Sequence, residues 1–298
     1  MEQSFIAAGH QAAINKALSK VLPIYSVSDY TCGIEYYRFL KNLLSNFDKE
    51  FDNLKNKLEC VCEKMFNHRE TLTYAGTGDI ITRVQFDSIE DIEANTRTKI
   101  ELKQDKNFEA YKIPSDVNYC ALVNDMRLYG KHMHGSKIVA SKIIALEYLW
   151  NEVRVKNGAY GAGMLCNIRG TMQFYSYRDP QNIKTLDSFS KSAKWLRELN
   201  IDQGTLDNFI ISTVAKIDAP TVASGIMLYQ DSCYFSFIDH KNRENVRREI
   251  INTKKEDILE AAKIFDTLFE DANKCVFGGK NLEKLESDGF ICINLFED

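Results

Sequence analysis

Arg154 and Tyr160 are the residues of this chain best placed to do chemistry. They flank the closely spaced glycines of the stretch VRVKNGAYGAG, Val153 to Gly163. Clustered glycines suggest a phosphate cradle, because their backbone N–H groups can wrap an anion at the start of a helix. A cradle needs the order strand, glycine turn, helix. Here helical periodicity precedes the glycines and a strand follows them, so the stretch presents a helix carbonyl end, which repels phosphate. Two readings of the stretch then remain. In one, Gly158 ends a helix in the left-handed conformation, Arg154 is a solvated cation at the helix end and Tyr160 is a core aromatic. In the other, the rigid turn aims Arg154 and Tyr160 at one point, where two fixed donors could bind and polarise a peptide carbonyl.

Other reactive residue types form weaker patterns. Cys60-Val-Cys62 could be half of a metal site, but no second pair follows at zinc-finger spacing. His132-Met-His134 has no carboxylate at ligand spacing and reads as a loop pair. The eight cysteines are scattered and read as reduced, buried thiols. Arg178-Asp179-Pro180 reads as a turn closing a strand, Asp218-Ala-Pro220 as a helix terminator, and Arg247 with Arg248 as a solvated, salt-bridged helix face.

The elements that must hold Arg154 and Tyr160 follow from periodicity. Residues 136–153 read as a helix with Val139, Ile143, Leu146, Trp150 and Val153 along one face. Residues 159–168 and 171–178 read as strands joined at Arg169-Gly170. Helices are expected at 186–199, 204–217 and 255–271, the last capped by Gly278-Gly279, and strands at 117–123, 233–237 and 289–293. Upstream, Tyr36, Phe39, Leu40, Leu43, Phe47, Phe51, Leu54 and Leu58 recur at three and four, which predicts helices with one buried stripe. A strand at Leu72–Ala75 and a helix from Ser88 complete that region. The polar run at 103–107 and Pro114-Ser115 put a boundary near 109. Hairpin-linked strands and grouped helices predict an α+β fold, an antiparallel sheet flanked by helices, preceded by a mostly helical region.

The chain has 298 residues, 44% hydrophobic and 27% charged, with a formal charge of −4. That balance offers no basic footprint for nucleic acid. No window approaches the roughly 18 apolar residues of a membrane span, and the N-terminus reads as neither a signal nor a transit peptide. These features predict a soluble, cytoplasmic protein with no membrane or nucleic-acid partner.

Several blocks, taken in order, resemble a known family: SFIAAGHQAAINKAL, SDYTCGIEYYRFLKNL, YLWNEVRVKNGAYGAGM, GTMQFYSYRDPQNIKTLDSF, IDAPTVASGIMLY and NVRREIINTKKEDILEAA. They look like the C-terminal region of the presequence proteases, zinc metallopeptidases of the insulinase (pitrilysin) superfamily. The resemblance implies two halves of two α+β domains each, closing around a chamber that degrades unfolded peptides. It implies that residues 1–108 are the latter part of a third domain and 109–298 a fourth, C-terminal domain. It implies that Arg154 and Tyr160 bind the substrate backbone and that Tyr160 stabilises the tetrahedral intermediate. The family's zinc ligands come from an H-x-x-E-H helix in the first domain. None of His10, His68, His132, His134 and His240 lies in such a frame, so zinc is expected only outside this chain, on an N-terminal half that would be its partner. The chain alone should then be inactive, a piece of a longer enzyme or a separately encoded half. The alternative is a non-catalytic peptide-binding or scaffold subunit that completes a partner's chamber.

Overall fold

The second strand of the sheet, Asn118–Asp125, is buried at all eight positions, which requires packed layers on both faces. The computed structural model describes residues 1–66, 108–279 and 281–297. Their contacts divide into two units. One gathers residues 1–36, 108–218 and 240–297, the other residues 37–66 and 219–239. The strand expected at Leu72–Ala75, the helix expected from Ser88 and the polar run at 103–107 lie outside the described residues.

The first unit is built on a six-stranded sheet. Its strands are β1 (Phe108–Lys112), β2 (Asn118–Asp125), β3 (Gly161–Cys166), β4 (Thr171–Tyr177), β5 (Asn273–Gly278) and β6 (Phe290–Asn294), in the order β3-β4-β2-β5-β1-β6. Strands β3, β4, β2 and β5 pair antiparallel, while β1 runs parallel to both β5 and β6. The fold is α+β, with most of the sheet antiparallel and a parallel margin. One face packs Cys120, Leu122, Phe174, Met172 and Val276 into a core with apolar residues of helices such as Phe189, Phe265 and Leu268. The other face is covered at its centre by the N-terminal helix Gly9–Ser19. A Cβ on Gly9 would lie 2.3 Å from the Tyr119 ring, so only glycine permits that approach. Residues 1–36 thus belong to the same compact unit as the sheet, and this unit crosses the break expected near 109.

In chain order the helices of this unit are α1 (Glu2–Ala7), α2 (Gly9–Ser19), α3 (Pro23–Cys32), α6 (Gly135–Ile143) with its continuation, α7 (Ile183–Glu198), α8 (Gln203–Ile217), α10 (His240–Ile251) and α11 (Lys255–Glu270). Between α3 and α6 come α4 (Ile34–Ser45), of which residues 37–45 belong to the second unit, and α5 (Phe47–Phe66), which with the later α9 (Ala223–Phe235) lies wholly in it. Helix starts follow their caps. Asp202 accepts from the Thr205 N–H at 2.9 Å and Asn182 from the Ile183 N–H at 2.7 Å.

The helix after Gly135 departs from the expected pattern. It is α-helical to Ile143, then π-helical from Ile144 to Lys156. The wider turn changes the buried face to Ile144, Tyr148, Leu149 and Val153, leaving Leu146 and Trp150 exposed. Four further expectations fail. Cys233 to Phe237 is no strand, because the apolar run belongs to the helix Ala223–Phe235. Gly278 does not cap the long helix: that helix stops at Glu270, and Gly278 ends a strand which alternation alone did not reveal. Phe39, Phe47, Phe51 and Leu58 of the predicted stripe are exposed, as are the thiols Cys32, Cys60 and Cys62.

Candidate functional site

Gly158 turns the chain between the two candidate donors. It has φ +83°, and its N–H donates to the Arg154 carbonyl at 3.1 Å while Ala159 donates to Val153 at 3.1 Å. These bonds satisfy carbonyls left over at the helix end, and the left-handed backbone explains the glycine. The next residue outward, Tyr160, donates its backbone N–H to the Arg178 carbonyl at 3.2 Å. Arg178 itself sits at φ +48°. The chain after it is anchored by paired backbone bonds between Asn118 and Asp179, at 2.7 and 2.8 Å.

The Asp179 carboxylate is the buried anchor of this corner. It accepts from the Gln181 N–H at 2.8 Å and from the Thr185 hydroxyl at 2.7 Å. Burial raises its pKa, and these hydrogen bonds oppose the rise. The expected turn at 178–180 is therefore a scaffold: it fixes the strand end to which Tyr160 is tied.

The side chains of the expected pair come together. The Arg154 guanidinium lies 4.0 Å over the Trp150 ring and 5.8 Å from the centre of the Tyr160 ring. Stacking occupies the guanidinium face and leaves its in-plane N–H groups available. Tyr160 is 67% exposed, so it is not the core aromatic of the purely structural reading. Its one ring neighbour in the sheet is Tyr177, edge-on at 5.8 Å. Among the described residues, neither the Tyr160 hydroxyl nor the Arg154 guanidinium has a side-chain hydrogen bond or ion pair.

Trp150 and Tyr177 were not legible as site residues from the sequence. Trp150 was placed on the buried face by α-helical phase. Tyr177 could have been noticed from the alternation of Tyr175 and Tyr177 opposite the glycines of β3.

The other reactive candidates are not brought into this site. The His134 ring caps α6, accepting from the Ser136 N–H at 3.3 Å. Among the described residues, no group of three or more His, Cys, Asp or Glu side chains could hold a metal ion. Burial pushes the Cys166 thiol up to about 12 and raises Cys120 and Cys275 well above the ordinary range, which leaves them without thiolate reactivity. No described helix is long and apolar enough to cross a membrane.

Comparison with known proteins bears on this geometry. Residues 108–278 match the family model described as "PreP C-terminal domain". Protein HypA of Clostridium perfringens is 28% identical over 298 residues, covering 97% of this chain and 30% of its own length. Presequence protease 1, chloroplastic/mitochondrial, of Arabidopsis thaliana is 26% identical over 284 residues, covering 90% of this chain and 26% of its own length. The mitochondrial presequence protease of Drosophila melanogaster is 26% identical and covers 97% of this chain and 28% of itself. The chain thus spans 30% or less of the length of these relatives. A solved protease from Helicobacter pylori shares the fold, with TM-score 0.50 at 15% identity, over 68% of this chain and 53% of that one. These relatives also correct the cytoplasmic expectation. Presequence proteases similar to this chain are named as mitochondrial or chloroplastic, and residues that align with under a third of a relative carry no information about its leader.

Proposed function

This chain belongs to the family of the presequence-protease C-terminal domain, and from that premise we propose that it supplies Arg154 and Tyr160 as substrate-binding and transition-state donors to a zinc metalloendopeptidase. One observation carries the reading. Two donors of different chemistry sit either side of a glycine-fixed turn, the guanidinium 5.8 Å from the centre of the Tyr160 ring, and among the described residues no side chain takes up their hydrogen bonds. The resemblance of the family blocks supports assigning them to a peptide backbone.

In this reading the substrate carbonyl lies between the Tyr160 hydroxyl and the Arg154 N–H groups. Both donate to its oxygen, and both bonds strengthen as negative charge gathers there. Trp150 holds the guanidinium plane and the Arg178 carbonyl holds the Tyr160 backbone, so little reorganisation is needed when the charge develops. The zinc and its ligands would lie outside this chain, on the N-terminal half that is its partner, and the chemistry assigned to these residues is donation alone. Residues 1–108 and 109–298 would be the end of a third and the whole of a fourth protease domain. Unfolded peptides would be degraded in the chamber that the halves enclose, and the chain by itself would cleave nothing.

The test is Tyr160→Phe in the full-length protein that carries this chain. Loss of one oxyanion donor lowers kcat by about a hundredfold to a thousandfold, with metal content unchanged. Near-normal kcat on an unfolded peptide would overturn the assignment.

A further inference from the structure

Where β4 ends, its register against β2 slips by one residue. Three steps along β2, from Ala121 to Asn118, face four along the neighbouring chain, from Tyr175 to Asp179. The extra residue is a β-bulge, which bends a strand and re-aims its side chains. Ser176 fills the interrupted ladder, its buried hydroxyl accepting from the Cys120 N–H at 3.2 Å. Toward β3 the register is unbroken as far as Gly161 and Tyr177, and one step further the Tyr160 N–H meets the Arg178 carbonyl.

Arg178 absorbs the bend with its φ of +48°. Glycine is the usual residue in that region, because a Cβ is strained there. Such strain persists only where the surroundings over-determine it, and here the surroundings are rings. The Arg178 guanidinium lies 5.5 Å over the Tyr177 ring. It also interacts with the Tyr119 hydroxyl, which donates to the Ile6 carbonyl at 2.7 Å. The carboxylate next in the chain does not draw it away, since Asp179 accepts from Gln181 and Thr185. An exposed cation therefore closes over tyrosines instead of pairing with an acid.

Tyr177 passes this restraint on. It meets His10 of α2 at 4.9 Å, His10 meets Tyr175 at 5.8 Å, and Tyr177 meets Tyr160 edge-on at 5.8 Å. The exposed Tyr160 ring is bounded only by that edge and by Arg154, 5.8 Å over it. A side chain so exposed samples its rotamers unless a fixed neighbour limits them. Arg178 thus reaches Tyr160 twice, through its carbonyl to the backbone and through Tyr177 to the ring.

Resting on the reading of Tyr160 as a transition-state donor, we propose that the Arg178 side chain is a positioning residue for that donor: it locks Tyr177 against the Tyr160 ring and so sets where the hydroxyl points. It acts through Tyr177 and does not touch the peptide.

The experiment is a double-mutant cycle in the full-length protein that carries this chain. Arg178→Gly keeps the left-handed turn and removes the guanidinium, so kcat on an unfolded peptide should fall about tenfold or more, with KM and the thermal midpoint unchanged. Arg178→Lys can still set a cation over the Tyr177 ring and should recover much of that loss. In Tyr160→Phe, which has no hydroxyl to aim, Arg178→Gly should change kcat by less than about twofold. Arg178→Asn, which also accepts the left-handed backbone, repeats the comparison if the glycine variant does not fold. An unchanged kcat in folded Arg178→Gly, a loss confined to KM, or an equal kcat loss with and without the Tyr160 hydroxyl overturns the positioning role and leaves the donor reading standing. Near-normal kcat in Tyr160→Phe alone overturns the donor reading itself.

Discussion

Trp150 decides how Arg154 can act. With the guanidinium 4.0 Å over the indole, removing the ring by Trp150→Leu forfeits about 0.5–2 kcal/mol of cation–π attraction and leaves the long side chain free to rotate. In the full-length protein kcat/KM should fall severalfold while the thermal midpoint barely moves, because Trp150 is 45% exposed. An unchanged kcat/KM would show that the stack orients nothing. Arg154→Lys keeps the charge but loses the planar fork, and should be nearly as damaging as Arg154→Ala. His10 offers a prediction in stability. Burial lowers its pKa from 6.5, so on acidification the unfolded chain takes up the proton first. The stabilising contribution is present above pH 6.5 and lost as pH falls through the lowered value. His10→Phe should show less loss of urea midpoint than wild type between about pH 7.5 and about pH 5.5; equal losses would exclude His10 as the source. That Arg154 and Tyr160 meet across the glycine turn was legible from their spacing, while the roles proposed for them rest on the family resemblance. Trp150 and His10 were not legible, since one depended on helix phase and the other comes from about 150 positions earlier in the chain, a distance only folding closes.

At the scale of elements, the end of the π-helix sets the site. Gly158→Ala puts a Cβ on a left-handed backbone at φ +83° and should cost about 1 kcal/mol in chemical denaturation. A cost near zero would mean the turn relaxes without it. The N-terminal helices are held by buried charge. Lys16 is 2.7 Å from Asp29 and 3.2 Å from Glu35, while Asp29 also accepts from the Ile34 N–H at 2.7 Å. Asp29→Ala removes a helix-start acceptor and strips the nearer partner from Lys16. Because Glu35 remains, the loss should fall toward the lower end of about 3–5 kcal/mol, read from urea unfolding of the chain. The strands beside the site were legible because hairpin alternation and Arg169-Gly170 are local signals. The strand Asn273–Gly278 was not, because two glycines after a helix resemble a cap whether or not a strand intervenes. The π-helical phase was likewise hidden, since the sequence from 136 to 153 satisfies an α-helical stripe equally well.

At the scale of the whole molecule, the exposed apolar residues stand out. Phe39, Phe47, Phe51 and Leu58 of α4 and α5 are each about half exposed, at 49, 46, 50 and 55%. Apolar area of this kind drives association. The isolated chain should therefore show concentration-dependent self-association by sedimentation velocity, weakened by Phe51→Lys. A monomer across the accessible range would show that these residues are tolerated as solvent-facing. The stripe was legible as an amphipathic pattern; its exposure was not, because periodicity marks which face is apolar and says nothing about what lies against it.

The sequence by itself determined the α+β class, the helix–glycine–strand order that rules out a phosphate cradle, and the pairing of Arg154 with Tyr160. Each of these follows from interactions within a few residues: turn chemistry, side-chain alternation and helix-end carbonyls. Tertiary structure alone decided that the N-terminal helix packs on the sheet, that Trp150 faces Arg154, and that His10 meets Tyr175 and Tyr177. Those relations depend on strand register and helix phase over long separations, where a shift of one residue reverses every face and no local pattern records the choice.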